Sequence, residues 1–316
     1  MLEKHNNNCY TINILNKLFM KGIFMELRLL KYFLAVAREQ NITRAAEVLH
    51  LTQPTLSRQL TELENEIGKK LLIRGRRKVT LTEDGMLFRK RAEEITDLIE
   101  KTKLELQPEN DEVTGSIFIG SAETHAIRYV LQIAKDLKNK YSKINYQISS
   151  GDKTDISEKL DKGLIDFGIL MGNIDKDKYN YIELPLKNHF GILMRKDSEL
   201  AKLDAITPND IYDLPLIVSR QSYNNEFSNW LKRDFNSLNI CATYSLLYNA
   251  SLMVEEGLGY ALCIDKIINT TGNSNLCFRP LSSGFEINVY FVWKKFQIFS
   301  EPAKLFLKEL QNSILS

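Results

Sequence analysis

The stretch "LTQPTLSRQLTELENEIG", residues 51–68, decides the fold. Leu56, Leu60, Leu63 and Ile67 recur at helical spacing, which lays one apolar stripe along one side of a helix. Gln53, Thr55, Ser57 and Arg58 then fall at the N-terminal end and on the outer side, where a soluble helix ordinarily carries Lys and Glu. Thr52 is the expected N-cap, and Pro54 is tolerated because first-turn amides have no intrahelical acceptor. A helix that enters the DNA major groove by its N-terminal end reads bases with amide and guanidinium groups, and small hydroxyl residues permit close backbone approach. Gln53 suits an adenine edge, and Arg58 a guanine edge or a phosphate; an ordinary polar face is the plainer reading of the same residues.

Two shorter helices are expected before this one. In "MELRLLKYFLAVAREQN", Leu30, Phe33, Leu34 and Ala37 recur at spacings of three and four, with Asn41 as a stop. Thr43 is the expected cap of "RAAEVLH", in which Ala45, Ala46 and Leu49 form a close-packing face. Thr43 and Arg44, at the start of that helix, join the candidate DNA contacts. After Gly68, Arg74, Arg76, Arg77 and Lys78 surround Gly75 and the alternating "KVTLT" follows, the pattern of a cationic hairpin beside a groove. Such a wing adds salt-sensitive affinity through phosphates rather than sequence choice. Thr82 then caps a long helix, with Glu83 and Asp84 complementing its dipole. Along it Phe88, Ala92, Ile95, Ile99, Thr102 and Leu106 form a heptad seam, read as a dimer contact or as packing on the same domain. "QPENDEVTG", residues 107–115, reads as a polar linker.

Bulk properties agree with two domains and exclude several classes. At 316 residues, 44% hydrophobic and 26% charged, the chain is neither disordered nor collagen-like, and no run approaches a membrane span. The net charge of +2 conceals an asymmetry: Met25–Arg91 holds 14 Lys or Arg against 8 Asp or Glu, so the remainder sums to −4. A basic front end on a mildly acidic body suits a polyanion-binding module attached to something else. Cys9, Cys241, Cys263 and Cys277 are scattered without metal-ligand spacing, so neither a disulfide framework nor a metal site is expected, and Cys263 in "GYALCID" reads as a small buried hydrophobe. In residues 1–24, Lys17 and Lys21 interrupt the apolar run, so the segment fails as a signal peptide and a cytoplasmic protein is expected.

The continuous run "MELRLLKYFLAVAREQNITRAAEVLHLTQPTLSRQLTELENEIGKKLLIRGRRKVTLTEDG" resembles the winged helix-turn-helix of LysR-type transcriptional regulators, with "AAEVLHLTQPTLSRQL" its most specific part. It departs from that pattern at Leu72, where the family generally has Phe, and at Asp84, where Ala is common; neither lies on the base-reading face. The resemblance places the family's usual start at Met25. Lys21 and Gly22 can be encoded by a purine-rich stretch like a ribosome-binding site, so residues 1–24 are expected to be translated leader.

From Gly115 the pattern turns to βα alternation: strands "SIFIGSA", "INYQISS" and "DFGILMG" separated by helices "HAIRYVLQIAKDLKNKY" and "DKTDISEKLDKGLID". A second unit runs from about Pro185 through "HFGILMR", "DLPLIVS", "NNEFSNWLKRDF", "ICATYSL" and "SLMVEEGLGYALCID", and "FEINVYFVWKK" with the helix from Glu301 returns to the first. Parallel sheets covered on both faces are expected. This body resembles the effector domain of the same family, with "GSAETHAIRYVLQIAKDL", "DLPLI" and "VEEGLGYAL" the most similar parts. The expected fold class is α+β multidomain. It comprises a winged helix-turn-helix over 25–82, a linker helix over 83–107, and an α/β effector domain over 115–316. The effector domain has two Rossmann-like halves, 115–184 with 288–316, and 185–287.

Ligands in such folds sit in the cleft outside the carboxyl ends of strands. That rule selects Ser121, Thr124, Ser150, Gly151, Met171 and Gly172 on one side and Ser219 and Arg220 on the other. Hydroxyls beside helix-terminal amides together with an Arg favour a small anion, although Ser121 and Thr124 serve equally as plain N-caps. The resemblance implies a homodimer or homotetramer on a roughly palindromic double-stranded DNA operator, with a small-molecule effector, no cofactor and no membrane. A cytosolic enzyme and a solute-binding protein are the competing classes. The four His, at 5, 50, 125 and 189, show no catalytic grouping, Ser121 beside His125 is weak, and a solute-binding protein needs an export signal.

Overall fold

A computed structural model describes residues 25–75, 78–106, 113–220, 225–282 and 284–315. Residues 1–24, and with them the leader expectation, lie outside the described residues. The chain divides into two compact units, one through Thr102 and one from Lys103.

The first unit is built on α1 (Leu27–Glu39), α2 (Ile42–Val48) and α3 (Gln53–Ile67), the strands β1 (Leu72–Arg74) and β2 (Val79–Leu81), and α4 (Glu83–Glu105). Its core joins Leu30, Phe33 and Val36 of α1, Ala45 and Ala46 of α2, and Leu56, Leu60 and Leu63 of α3, all nearly inaccessible to solvent. Capping differs in detail from expectation. Gln40 ends α1 in a left-handed conformation (φ 53°), and Asn41 is not the stop but the N-cap of α2, its side chain accepting the Arg44 amide at 3.1 Å. Thr43 is therefore inside α2 and exposed. Thr52 holds the N-cap position of α3 without bonding an amide; its hydroxyl lies 2.8 Å from that of Thr55. Thr82 does cap α4, accepting the Gly85 amide at 2.9 Å.

β1 and β2 pair antiparallel, Leu72 opposite Leu81 and Arg74 opposite Val79. The expected seam on α4 is partly used inside the unit. Ala92 is fully buried, and Phe88 packs edge-on against Phe33 with centroids 4.9 Å apart. Ile95 and Ile99 are half-buried, and Thr102 and Leu106 are exposed. Ala92 is therefore taken up within its own unit, and Phe88, half-buried, anchors α4 on α1.

The second unit has two lobes on one continuous sheet. In the first, β4 (Ile144–Ser150), β3 (Gly115–Ser121) and β5 (Phe167–Met171) run parallel, followed by β11 (Glu286–Lys294) and the first part of β6 (Tyr179–Arg195). One face packs Ile117, Ile169 and Phe291 against α5 (Ile127–Lys140) and α9 (Glu301–Leu315). The other packs Leu170 and Val292 against α6 (Lys153–Asp161). In the second lobe the order is β10 (Leu276–Pro280), the end of β6, β9 (Tyr260–Ile264), β7 (Leu216–Ser219) and β8 (Ile240–Tyr244). It is covered by α7 (Asn225–Leu231) on one face and α8 (Leu247–Glu255) on the other.

The sheets are mixed rather than parallel throughout, because the connecting strands are themselves part of them. β6 pairs with β11 as far as His189 and with β9 and β10 from Phe190 onward, always antiparallel. Its first part did not read as a strand because Pro185 and neighbouring polar residues break the apolar run. The ladder shifts register there, between Asn288 and Tyr290 opposite residues 183–187, which spares a pairing that Pro185, lacking an N–H, could not donate. Among the described residues no helix is long and apolar enough to cross a membrane.

Candidate DNA-reading face and ligand cleft

At the start of α3 the apolar and polar residues separate by side. Leu56 and Leu60 are buried, while Gln53, Pro54, Thr55 and Arg58 are exposed and Ser57 is half-buried. Thr43 and Arg44 are exposed on the first turn of α2. Arg58 is 78% exposed and its Nε donates to Glu62, one turn on, at 2.8 Å. It is thus held beside the helix surface.

Arg74 behaves differently from a free wing cation. Its guanidinium donates to Ser57 Oγ at 3.0 Å and Thr61 Oγ1 at 2.8 Å, binding β1 to α3. Arg76 and Arg77 lie outside the described residues. Beneath this contact is Glu64, a carboxylate that sequence reading passed over in the acidic run "ELENE". Only 3% of Glu64 is exposed. Its Oε1 accepts the Leu71 and Leu72 amides at 2.8 and 3.0 Å, and its Oε2 accepts Lys70 Nζ at 3.1 Å. Burial pushes its pKa up, but the Leu72 and Leu71 amides and Lys70 outweigh burial, leaving it below the usual carboxylate range. The available signal was spacing, since position 64 lies one turn after Leu60 on the buried stripe.

In the second unit a cavity of about 440 Å³ opens between the lobes. Of the eight expected ligand residues, Gly151, Met171, Ser219 and Arg220 bound it. Ser121 and Thr124 do not, and the small-anion argument built on their hydroxyls is corrected. Ser121 is buried and donates to the Ala122 carbonyl at 2.7 Å. Thr124 is buried too; its Oγ1 accepts the Ala126 amide at 3.1 Å and Asn188 Nδ2 at 2.7 Å. Ser150 is exposed outside the cavity wall, and Gly172 forms a left-handed turn (φ 69°) whose amide bonds the Asn288 carbonyl.

Other side chains supply the cavity's polar character. Arg220 donates to Ser245 Oγ, Lys153 donates to the Asn173 carbonyl, and Glu123 Oε2 accepts the Leu247 amide at 2.5 Å. Asp152 caps α6 in a reciprocal pair with Asp155. The remaining wall is apolar and aromatic, with Phe190, Phe227, Phe285 and Ile287 prominent. Cys263 is buried in the wall, as its apolar string implied, and burial pushes its thiol up to about 12. Where the strands cross between lobes, His189 sits between carboxylates, Nδ1 3.3 Å from Asp265 and Nε2 3.3 Å from Glu286.

Comparison with known proteins matches both units. Residues 27–86 match the family model described as a bacterial regulatory helix-turn-helix protein of the lysR family, and residues 110–314 match the LysR substrate binding domain. The chain belongs to the LysR family. It is 32% identical to the HTH-type transcriptional regulator BsdA of Bacillus subtilis (strain 168), over 90% of this chain and 99% of that protein. It is 30% identical to the Hca operon transcriptional activator HcaR of Escherichia coli (strain K12), over 86% and 92% respectively. In fold it is similar to CbnR, a LysR family transcriptional regulator, with TM-score 0.72, 17% identity, and coverage of 92% of this chain and 99% of that one. CbnR complexed with its target DNA gives TM-score 0.71 at 18% identity, covering 92% and 100%. This LysR-family chain is a DNA-binding transcriptional regulator carrying a substrate-binding domain.

Proposed function

We propose that this regulator reads its operator with Gln53, Thr55, Ser57 and Arg58 of α3, supported by Thr43 and Arg44 of α2. The observation that carries this is the split of α3: Leu56, Leu60 and Leu63 hold the helix while amide, hydroxyl and guanidinium groups at its N-terminal end face solvent. Arg74 sets the angle of the wing to α3, and Arg76 and Arg77 add salt-sensitive affinity through phosphate. The protein acts in the cytoplasm as a homodimer or homotetramer on a roughly palindromic site, with Ile95, Ile99, Thr102 and Leu106 of α4 contributing to the pairing. A gel shift on the DNA upstream of its own coding region, at physiological salt with unrelated competitor, is expected to show a sequence-specific complex. Equal competition by unrelated DNA contradicts the reading.

The cleft takes a small organic anion as effector. Arg220 and Lys153 supply the attraction, and the aromatic and aliphatic walls require an apolar body behind the anionic group. An inorganic anion leaves those walls unfilled. A thermal-shift screen of the whole protein against small carboxylates is expected to raise the melting temperature for members with an apolar body, and Arg220→Ala to remove that rise. Stabilisation by phosphate or sulfate alone contradicts this choice.

A further inference from the structure

We infer that Glu123 is a cross-cleft latch, a carboxylate of the protein's own that ties one lobe to the other before any effector binds. Glu123 belongs to the turn that follows β3 in the first lobe, and it faces the cavity. Its Oε2 accepts the amide of Leu247, the first residue of α8 in the second lobe. That amide has no intrahelical acceptor, and Leu246 at the N-cap position brings no side-chain cap, so an acceptor from elsewhere in the fold is well placed. A carboxylate there also meets the positive end of the helix dipole.

The contact acts as a latch because both of its ends are rigid. On the first lobe Thr124, next to Glu123, is buried and bonded to Asn188 of the crossing strand β6. On the second, Leu247, Ala250 and Val254 are buried among the apolar residues of the sheet. Neither anchor can follow the other if the lobes part, and a hydrogen bond tolerates only a few tenths of an ångström. An anionic effector is therefore drawn by Arg220 and Lys153 into a cleft whose lobe spacing Glu123 already holds. Its effect on that spacing comes from competition with the latch, which gives it different affinities for latched and unlatched arrangements. That last step rests on the ligand reading above; the latch itself does not.

Residue-resolved amide hydrogen exchange on the unliganded full chain tests the latch without an effector. Glu123→Ala is expected to speed exchange of the Leu247 amide about tenfold, the loss of one net hydrogen bond. Ser251 to Glu255, whose amides bond within α8, are expected to keep their rates. Glu123→Gln, which keeps an acceptor oxygen but not the charge, is expected to fall between wild type and Ala. An unchanged Leu247 rate in Glu123→Ala overturns the latch, and so does uniform acceleration along all of α8. A cleft that takes no carboxylate at all sinks the ligand reading and leaves this result standing.

Discussion

Glu64 shows what a single buried carboxylate does for a DNA-reading unit. It terminates no helix, yet it satisfies two backbone amides where the chain leaves α3 for β1. Glu64→Ala strands both donors and is expected to cost about 2–4 kcal/mol in denaturant unfolding of the first unit. Its pH dependence has a definite sign. The folded pKa lies below the unfolded one, so the contribution is fully present above the unfolded carboxylate value and is lost as pH falls through the folded value. Wild type is therefore expected to lose stability on acidification below about pH 5 more steeply than Glu64→Gln. Parallel acid profiles for the two proteins contradict this. At this scale, legibility in the sequence was uneven. Gln53 to Arg58 could be placed because a 3.6-residue period leaves one outer face, whereas Ser121 and Thr124 misled because their hydroxyls are consumed within a few residues of themselves.

The elements that carried a strong period were placed from sequence, and the elements that cross between lobes were not. β4 matches the expected strand residue for residue, and α3 begins at Gln53, directly after the expected cap. β6 was seen only from His189 onward, and β10 was missed, because alternation cannot report a strand that is buried in one lobe, interrupted at Pro185 and buried again in the next. Gly191 marks how tightly that second passage is packed. A Cβ added there lies 2.3 Å from the Arg279 carbonyl oxygen and 2.2 Å from the Phe278 ring, so β10 has to move. Gly191→Ala is expected to destabilise the second unit by about 1–3 kcal/mol, read as a lower melting temperature. DNA affinity of the first unit at low temperature is expected to change little. A variant as stable as wild type means that β10 yields without cost. On α4 the seam was legible but its partner was not, since a heptad stripe does not say whether it meets its own domain. Phe88 and Ala92 turned inward, which leaves Ile99 as the residue to test. Ile99→Asp is expected to weaken self-association at least about tenfold in sedimentation, and unchanged association contradicts its place in the contact.

For the whole molecule, family membership and the pairing of a DNA-binding with a substrate-binding domain were readable from the sequence, because the helix-turn-helix run is specific and the βα alternation is regular. The chemistry of the cleft was not, because its walls are assembled from strand ends far apart in sequence, and Glu123 and Lys153 carry no local signature. A basic first unit on an acidic body predicts binding dominated by phosphate contacts, so affinity for any DNA is expected to fall steeply between about 50 and 200 mM salt. Specificity, in contrast, is expected to reside in a few side chains of α3. The most direct test measures binding of wild type and Arg58→Ala to a set of operators in which each base pair is changed in turn. The account predicts that Arg58→Ala loses discrimination of about 1–3 kcal/mol at one position in each half-site and keeps the wild-type preference elsewhere. A uniform loss of affinity at every position, with all preferences intact, would mean that Arg58 contacts only phosphate and that α3 does not choose the site in the way its exposed face implies.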